Sequence, residues 1–455
     1  MIFWRGEPGY EEARVGRVFN ARRPERYPAG VVMAESEDDI VAAVRLARDR
    51  GLQVSVRAGG HSWAAWSVRD DALLIDLGGI REMTYDPDTG IATATPAVKG
   101  GAELVPFLTS HGRAFPGGHC PSVGIGGFLL QGGQGWNGRK YGWACERVAA
   151  IDVVTADGEL IRADEEQNPD LLWAARGAGP GFFGVITRFH LRTYPLPRAM
   201  THDTWMFELD DLEPLLTWID ELLPSLDRVV EPVIAATRLP RPEGPPVLLL
   251  HTTAMCDTPE EAARVLAPLV ACPIADRAIA HEHGPTTVEQ ENEAQAAQNP
   301  ESHRYAVDCT WTDARARELA PHLRAVWSEL PTEHSFSIWY GWAPSRQLPD
   351  MAFSIEGRAY IAIYAIWTDA TDDERHRSWV VDHTTRLAGL GKGVYLGDTD
   401  FTRRSDRFLA PENFRRLEEV RARRDPDGRF CGYLIADDAG LNAEPDRRRR
   451  TVSAP

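Results

Sequence analysis

The sequence predicts a mixed chain of strands and helices in two or three domains, built around one glycine-rich region that wraps a ligand. Three observations carry this. The chain has 455 residues, 43% of them apolar, enough for full cores at roughly 150 residues per domain. Apolar runs of strand length alternate with segments of helical period up to Pro195-Leu196-Pro197, where the composition shifts. The stretch Pro116–Trp136 sets one thiol, Cys120, in a backbone that reads as too rich in glycine for helix or strand. Glycine at this density lets the main chain approach a ligand closely, at an entropic cost a purely structural segment would avoid.

Residues 29–60 read as one strand-helix-strand unit. Val31-Val32-Met33 is a short strand, and Ser36 then offers an N-cap oxygen with Asp39 three residues on. Ile40, Ala43, Val44 and Ala47 recur at helical spacing, with acids at the start, arginines at the end and Gly51 beyond the C-cap. The second strand, Gln53–Arg57, runs into Ala58-Gly59-Gly60-His61-Ser62-Trp63, which presents a histidine on a tight backbone whose free amides could hold a phosphate. Further strands are expected at 72–77, 91–95, 151–155 and 183–189, with helices at 102–111 and 170–176. From Pro195 to about 395 strands and helices alternate without a glycine-rich site, with Pro-rich turns at 240–246. A helix over 411–420 then ends at the turn Asp425–Phe430.

Composition excludes several function classes. A net charge of −17 argues against nucleic acid as a partner. No run of about 18 apolar residues suggests a membrane span, and the N-terminus carries no signal-peptide pattern, so a cytoplasmic protein is expected. The six cysteines form no C-x-x-C pair, and His281-Glu282-His283 has no third ligand in view, so neither a disulfide framework nor a metal is expected. Arg447–Arg450 reads as part of a disordered basic tail from about 440. The motif G-x-G-x-x-G occurs at Gly133–Gly138 and Gly179–Gly184, but the first follows another glycine loop and the second leads into a strand. A dinucleotide fingerprint requires the opposite order, strand then helix. His61 and Cys120 each follow glycine-rich turns that suit one cofactor, although spacing alone does not show that they meet.

At these residues the chain resembles the berberine bridge enzyme-like branch of the vanillyl-alcohol oxidase flavoprotein family. The matching pieces are Arg57–Ser62, Gly118–Gly127, Lys140-Tyr141-Gly142, Val154–Gly158, Leu172–Gly177, Phe183–Thr187, Asn413–Leu417 and Asp425-Pro426, in the family's order. The resemblance implies an α+β fold. Its PCMH-type FAD-binding domain, with two α/β subdomains, would occupy residues 1–195. A substrate domain at 196–395 would carry an antiparallel sheet covered by helices, and a C-terminal segment, 396–455, would return to the FAD domain. It implies FAD bound covalently through His61 to the 8α-methyl and through Cys120 to ring carbon 6. Further FAD contacts are implied for Arg57, Ala58, Gly59, Gly60, Ser62, Gly118, Val123, Gly124, Gly127, Gly135, Tyr141, Gly142, Val185 and Asn413. The reaction implied is two-electron oxidation, with a base taking a substrate proton while hydride passes to the flavin. Val123, three positions after the cysteine, is the residue at which small side chains admit O2 in the family, which favours an oxidase producing hydrogen peroxide.

Departures from the family pattern are instructive. The Tyr-x-Asn-Tyr-x-Asp segment, whose second tyrosine serves as base in many members, corresponds to Val394–Asp400, which reads as shortened and lacks the Asn-Tyr pair. Tyr395 is the nearest substitute, and the period of a strand at 359–367 puts Tyr360 and Tyr364 on one face. A tyrosine acting near neutral pH needs a depressed pKa. Phe128 stands where plant members carry a histidine, and Trp63, with Trp66, suggests an aromatic surface for a ring or sugar face. The expected partners are a small-molecule substrate and O2, with the chain a monomer or homodimer. The expected function is oxidation of an alcohol of a sugar, glycoside or aromatic natural product. Oxidative cyclisation or other C–C or C–N bond formation, and a flavin-binding module without turnover, are the alternatives.

Overall fold

The computed structural model describes residues 1–239 and 244–435. The basic tail and part of the Pro-rich turn at 240–246 lie outside those residues. Three main sheets organise the chain. In the first, Gly30–Met33, Leu73–Asp76 and Val54–Arg57 pair in parallel, and Ile2–Trp4 adds an antiparallel edge. The crossover helix Glu37–Asp49 forms as its sequence specifies. Ser36 Oγ accepts from Asp39 N at 3.2 Å, Ile40, Ala43, Val44 and Ala47 are buried, and Gly51 takes φ +66° beyond the end. The second sheet is antiparallel, in the order Met83–Asp86, Ile91–Ala94, Val185–Arg192, Val148–Val154, Leu160–Ala163.

The third sheet has eight antiparallel strands, ordered Ala280–Thr286, Ala199–Glu208, Pro246–Cys256, Val230–Arg238, Phe336–Gly341, Ala359–Trp367, Arg304–Thr312, Gly391–Gly393. Ala359–Trp367 and nearly all of Arg304–Thr312 are buried on both faces, the former as its unbroken apolar run requires. Ile361, Ile363 and Ala365 face a core closed by the helices Leu212–Leu222, Pro259–Val270, Ala316–Ser328 and Asp373–Leu387. Tyr360, Ala362 and Tyr364 face the other way, into a core shared with the first two sheets. One layer of helices therefore covers the outer face, and the inner face turns toward the glycine-rich loops. After the helix Pro411–Arg424 the chain returns to the first sheet, where Val54 N donates to Arg429 O at 2.7 Å and Cys431 N to Val54 O at 2.9 Å.

Two local expectations need correction. The 102–111 helix begins earlier, as a wide turn at Gly100–Leu104 leading into Val105–Thr109, because Gly100 packs where a Cβ would lie 2.0 Å from Gly117 O. Inside the stretch read as neither helix nor strand, Ile125–Leu130 forms an α-helix. Its Gly126 serves packing, since a Cβ there would come within 2.8 Å of both Pro96 and Ala58. The polar segment from His281 forms the strand Ala280–Thr286 and the helix Val288–Gln298, in keeping with the alternation expected there.

Candidate functional site

The glycine-rich loops, the inner face of the eight-stranded sheet and the C-terminal return enclose one cavity of about 540 Å³. At one end it is walled by Val54–Arg57, Arg69 and Phe430–Gly432, and at the other by Val233, Ala235, Leu249, Phe336 and Ile338 of the sheet. Between these ends stand Ala58, Gly59, Gly60, His61, Ser62, Trp63, Trp66, Gly118, Cys120, Val123, Gly124, Gly127, Tyr360, Tyr364 and Tyr395, all of them predicted site residues.

The loops bearing His61 and Cys120 touch. A Cβ on Gly59 would lie 2.6 Å from Gly124 N and 2.8 Å from its Cα, so the two backbones pass at a distance only glycine allows. Gly60 has φ +79° and lies against Arg17 O, where a Cβ would sit 1.8 Å away, which turns the next residue into the cavity. The His61 ring stacks on Phe19 with centroids 4.1 Å apart and planes at 22°. Burial, reinforced by the positive charge of Lys99, brings its pKa down to about 3, so the imidazole is neutral and keeps a nucleophilic nitrogen lone pair. Cys120 Sγ lies 3.6 Å from Ser122 Oγ, and burial pushes the thiol up despite that contact.

On the sheet side the side chains converge on a residue that sequence reasoning missed. Asp398 Oδ2 accepts from Tyr360 OH at 2.7 Å and from Tyr364 OH at 2.9 Å, and Oδ1 accepts from Trp63 Nε1 at 3.0 Å. The strand Ala359–Trp367 places both phenols on its inner face, as its period requires. Burial and the neighbouring Asp398 charge raise Tyr360 and Tyr364 well above the ordinary phenol range, and the same two causes raise Tyr395. The protein's own groups thus oppose the depressed pKa that a tyrosine base needs. The segment is also not shortened. Tyr395-Leu396-Gly397-Asp398-Thr399-Asp400 keeps the spacing of Tyr-x-Asn-Tyr-x-Asp, with glycine for the asparagine and Asp398 for the second tyrosine. Counting that spacing was the available signal.

Five predicted contacts lie away from the cavity for definite reasons. Gly135 packs on Pro116, Tyr141 stacks against Tyr194 at 4.1 Å, and Gly142 ends a short helix with φ +77° beside the Glu146 carboxylate. Val185 is fully buried opposite Val154, and Asn413 Nδ2 donates to Met351 O at 2.8 Å, fastening the C-terminal helix. Arg57 reaches the cavity wall, yet its guanidinium is spent on Asp76 and the carbonyls of Ala13 and Arg14. Trp66 is buried edge-on to Phe401, so it shapes the wall more than it offers a stacking face. His281 and His283 both bond the buried Asp203 Oδ1, at 2.7 and 3.0 Å, and no group able to hold a metal occurs among the described residues.

The cavity suits FAD. Ser55 Oγ and Gln134 Nε2 stand on its wall, buried and without protein partners, as groups do that await a polar ligand. The glycine backbones admit a flat ring at close range, and the Cys120 thiol and the His61 imidazole stand on the same cavity wall. Such a site belongs to a flavoprotein oxidoreductase. Residues 28–164 match the FAD binding domain family. The FAD-linked oxidoreductase janO of Penicillium janthinellum is 35% identical over 443 residues, spanning 96% of this chain and 98% of that protein. The xylooligosaccharide oxidase of Thermothelomyces thermophilus is 37% identical over 185 residues, 40% of this chain and 37% of that one. The crystal structure of 6-hydroxy-D-nicotine oxidase from Arthrobacter nicotinovorans superposes with a TM-score of 0.83 at 23% identity, covering 96% of this chain and 97% of its own. The chain belongs to the FAD-linked oxidoreductase family that includes janO.

Proposed function

We propose that this enzyme is an oxidase whose FAD is held covalently through His61 and Cys120, and that it oxidises an alcohol with O2 as acceptor, giving hydrogen peroxide. The observation that carries it is the contact of Gly59 with Gly124, by which two loops distant in sequence deliver a neutral imidazole and a thiol to one cavity. When bound, FAD supplies a two-electron hydride acceptor that O2 can reoxidise. The residues around it bind and orient. Gly59, Gly60, Gly118, Gly124 and Gly127 give the cofactor backbone contact, and Val123, on the cavity wall, leaves room for O2.

The far wall bears on the substrate. Val233, Ala235, Leu249, Phe336 and Ile338 present apolar side chains there, beside the polar Glu231, Thr237, His251, Thr253 and Gln295. Apolar faces set among hydrogen-bonding groups serve a ring system that carries hydroxyl groups. Alcohols of sugars, glycosides and aromatic natural products all meet that description. The PCMH-type FAD-binding part at 1–195, the substrate part at 196–395 and the returning segment from 396 complete the reading.

Acid-precipitated protein is expected to stay yellow, and His61→Ala with Cys120→Ala to release the colour to the supernatant. A double variant whose pellet remains yellow overturns the attachment. Anaerobic mixing with sugars, glycosides and aryl alcohols is expected to bleach the flavin band with some of them, and aerobic turnover to give one peroxide per carbonyl formed. Turnover with a changed carbon skeleton would instead indicate an oxidative cyclase.

A further inference from the structure

We propose that Asp398 is the base that takes the substrate's hydroxyl proton in this enzyme. The inference rests on the oxidase reading above and deepens it.

Three donors from two distant parts of the chain, Trp63, Tyr360 and Tyr364, aim at this one carboxylate on the cavity wall. A carboxylate offers about four acceptor positions, so three bonds leave one, on Oδ1, for an incoming O–H. Trp63 follows His61 by two residues in the same loop, so the Trp63 bond ties Asp398 to the loop that bears one proposed flavin attachment. The donors hold the carboxylate in one orientation, which is what positioning a reacting proton requires. Tyr360 and Tyr364 lie buried beside an anion, an arrangement that keeps them as phenols and makes them positioning residues. The titratable groups facing Asp398 are these two, Tyr395 from its own segment, Cys309 from the strand Arg304–Thr312 and Cys120 from the loop opposite.

The step balances as follows. The alcohol's O–H bond breaks and its proton passes to Asp398. Bound FAD would supply the two-electron acceptor: the adjacent C–H bond would break as hydride and the C–O bond would become a carbonyl. Reoxidation by O2 would form peroxide from those two electrons, the hydrogen carried as hydride and the proton released by Asp398.

The test uses Asp398→Asn and Asp398→Glu in the flavin-loaded enzyme, with the alcohol that best bleaches the wild type anaerobically. Bleaching by Asp398→Asn is expected to slow about 100-fold or more, while Asp398→Glu recovers part of the rate. Dithionite reduction should match the wild type in both variants. A second readout needs no substrate. Losing the anion beside Tyr360 and Tyr364 should bring tyrosinate absorption in at lower pH in Asp398→Asn than in the wild type. Asp398→Asn bleaching within threefold of wild type overturns the inference, as does an unchanged tyrosinate titration. If no alcohol bleaches the wild type, it is the function proposed above that fails, and the phenol titration alone then decides whether Asp398 bears on the tyrosines as described.

Discussion

Two glycines separate two physical costs. Gly59 has ordinary backbone angles, but a Cβ there would meet the main chain of Gly124 at 2.6 Å, and neither partner is a flexible side chain that could swing away. Gly51 has nothing within 4 Å of such a Cβ, yet its φ of +66° strains any L side chain. Gly59→Ala is therefore expected to part the two loops, costing about 1–3 kcal/mol and lowering flavin content, read from the ratio of flavin to protein absorbance and from the melting temperature. Gly51→Ala should cost about 1 kcal/mol with flavin content unchanged. Equal flavin loss in both variants would show that the contact between the loops does not govern attachment. What the sequence made legible at this scale follows the same division. His61 and Cys120 stand out because short glycine motifs frame them locally. Asp398 does not, since its meaning comes from Trp63, Tyr360 and Tyr364, which only the fold brings to it. Asn413 and Tyr141 show the converse, belonging to recognisable motifs while their side chains serve packing.

At the scale of elements, the helix Val288–Gln298 is the unusual one. Its buried residues are Glu291 and Asn292, so it lacks the apolar stripe by which helices are both recognised in a sequence and held in a fold. The strand Ala359–Trp367, an unbroken apolar run, is the opposite case and reads directly. Polar bonds dock the helix instead. Glu291 accepts from Thr286 Oγ1 at 2.7 Å and pairs with His251 at 3.1 Å and His202 at 3.3 Å, and Asn292 Oδ1 accepts from Trp136 Nε1 at 2.8 Å. Ala294, Gln295 and Gln298 of this helix line the cavity, so its docking shapes the site. Burial opposes the Glu291 carboxylate, but His251, Thr286 and His202 together hold it below the usual range. A carboxylate depressed in the fold binds fewer protons there than in the unfolded chain. Its contribution is thus complete above the unfolded value of about 4.3 and is lost as pH falls through the folded value. Hydrogen exchange across 288–298, corrected for the intrinsic pH dependence, is expected to quicken below about pH 4.3 in the wild type. In Glu291→Gln it should already be quick at pH 7, with no acid step. An acid step retained in that variant would assign the effect to another group.

Across the whole molecule, the inner face of the eight-stranded sheet has no core of its own. Tyr305, Val307, Trp311, Tyr340, Tyr360 and Tyr364 belong to the same buried cluster as Val54, Ile75, Ile125, Val153 and Phe430 of the cofactor half, and the cavity lies along this seam. Trp311 marks it, fully buried with ring centroids 5.8 Å from Trp143, 5.6 Å from Trp342 and 4.9 Å from Tyr360. Composition alone draws a division near Pro195, and the burial pattern explains why a compositional division need not be an energetic one. Separate domains would each close their own apolar surface, whereas here the sheet's outer face is closed by its own helices and its inner face by the other half. The two halves should then unfold together. A calorimetric scan is expected to show one transition, coincident with the rise in flavin fluorescence as the isoalloxazine is released from its aromatic surroundings. Trp311→Ala, which removes about 3–5 kcal/mol of packing at the seam, should move both signals to lower temperature by the same amount. If the calorimetric peak instead splits, with flavin fluorescence following only one component, the sheet is an independent folding unit and the seam contributes contact without cooperativity.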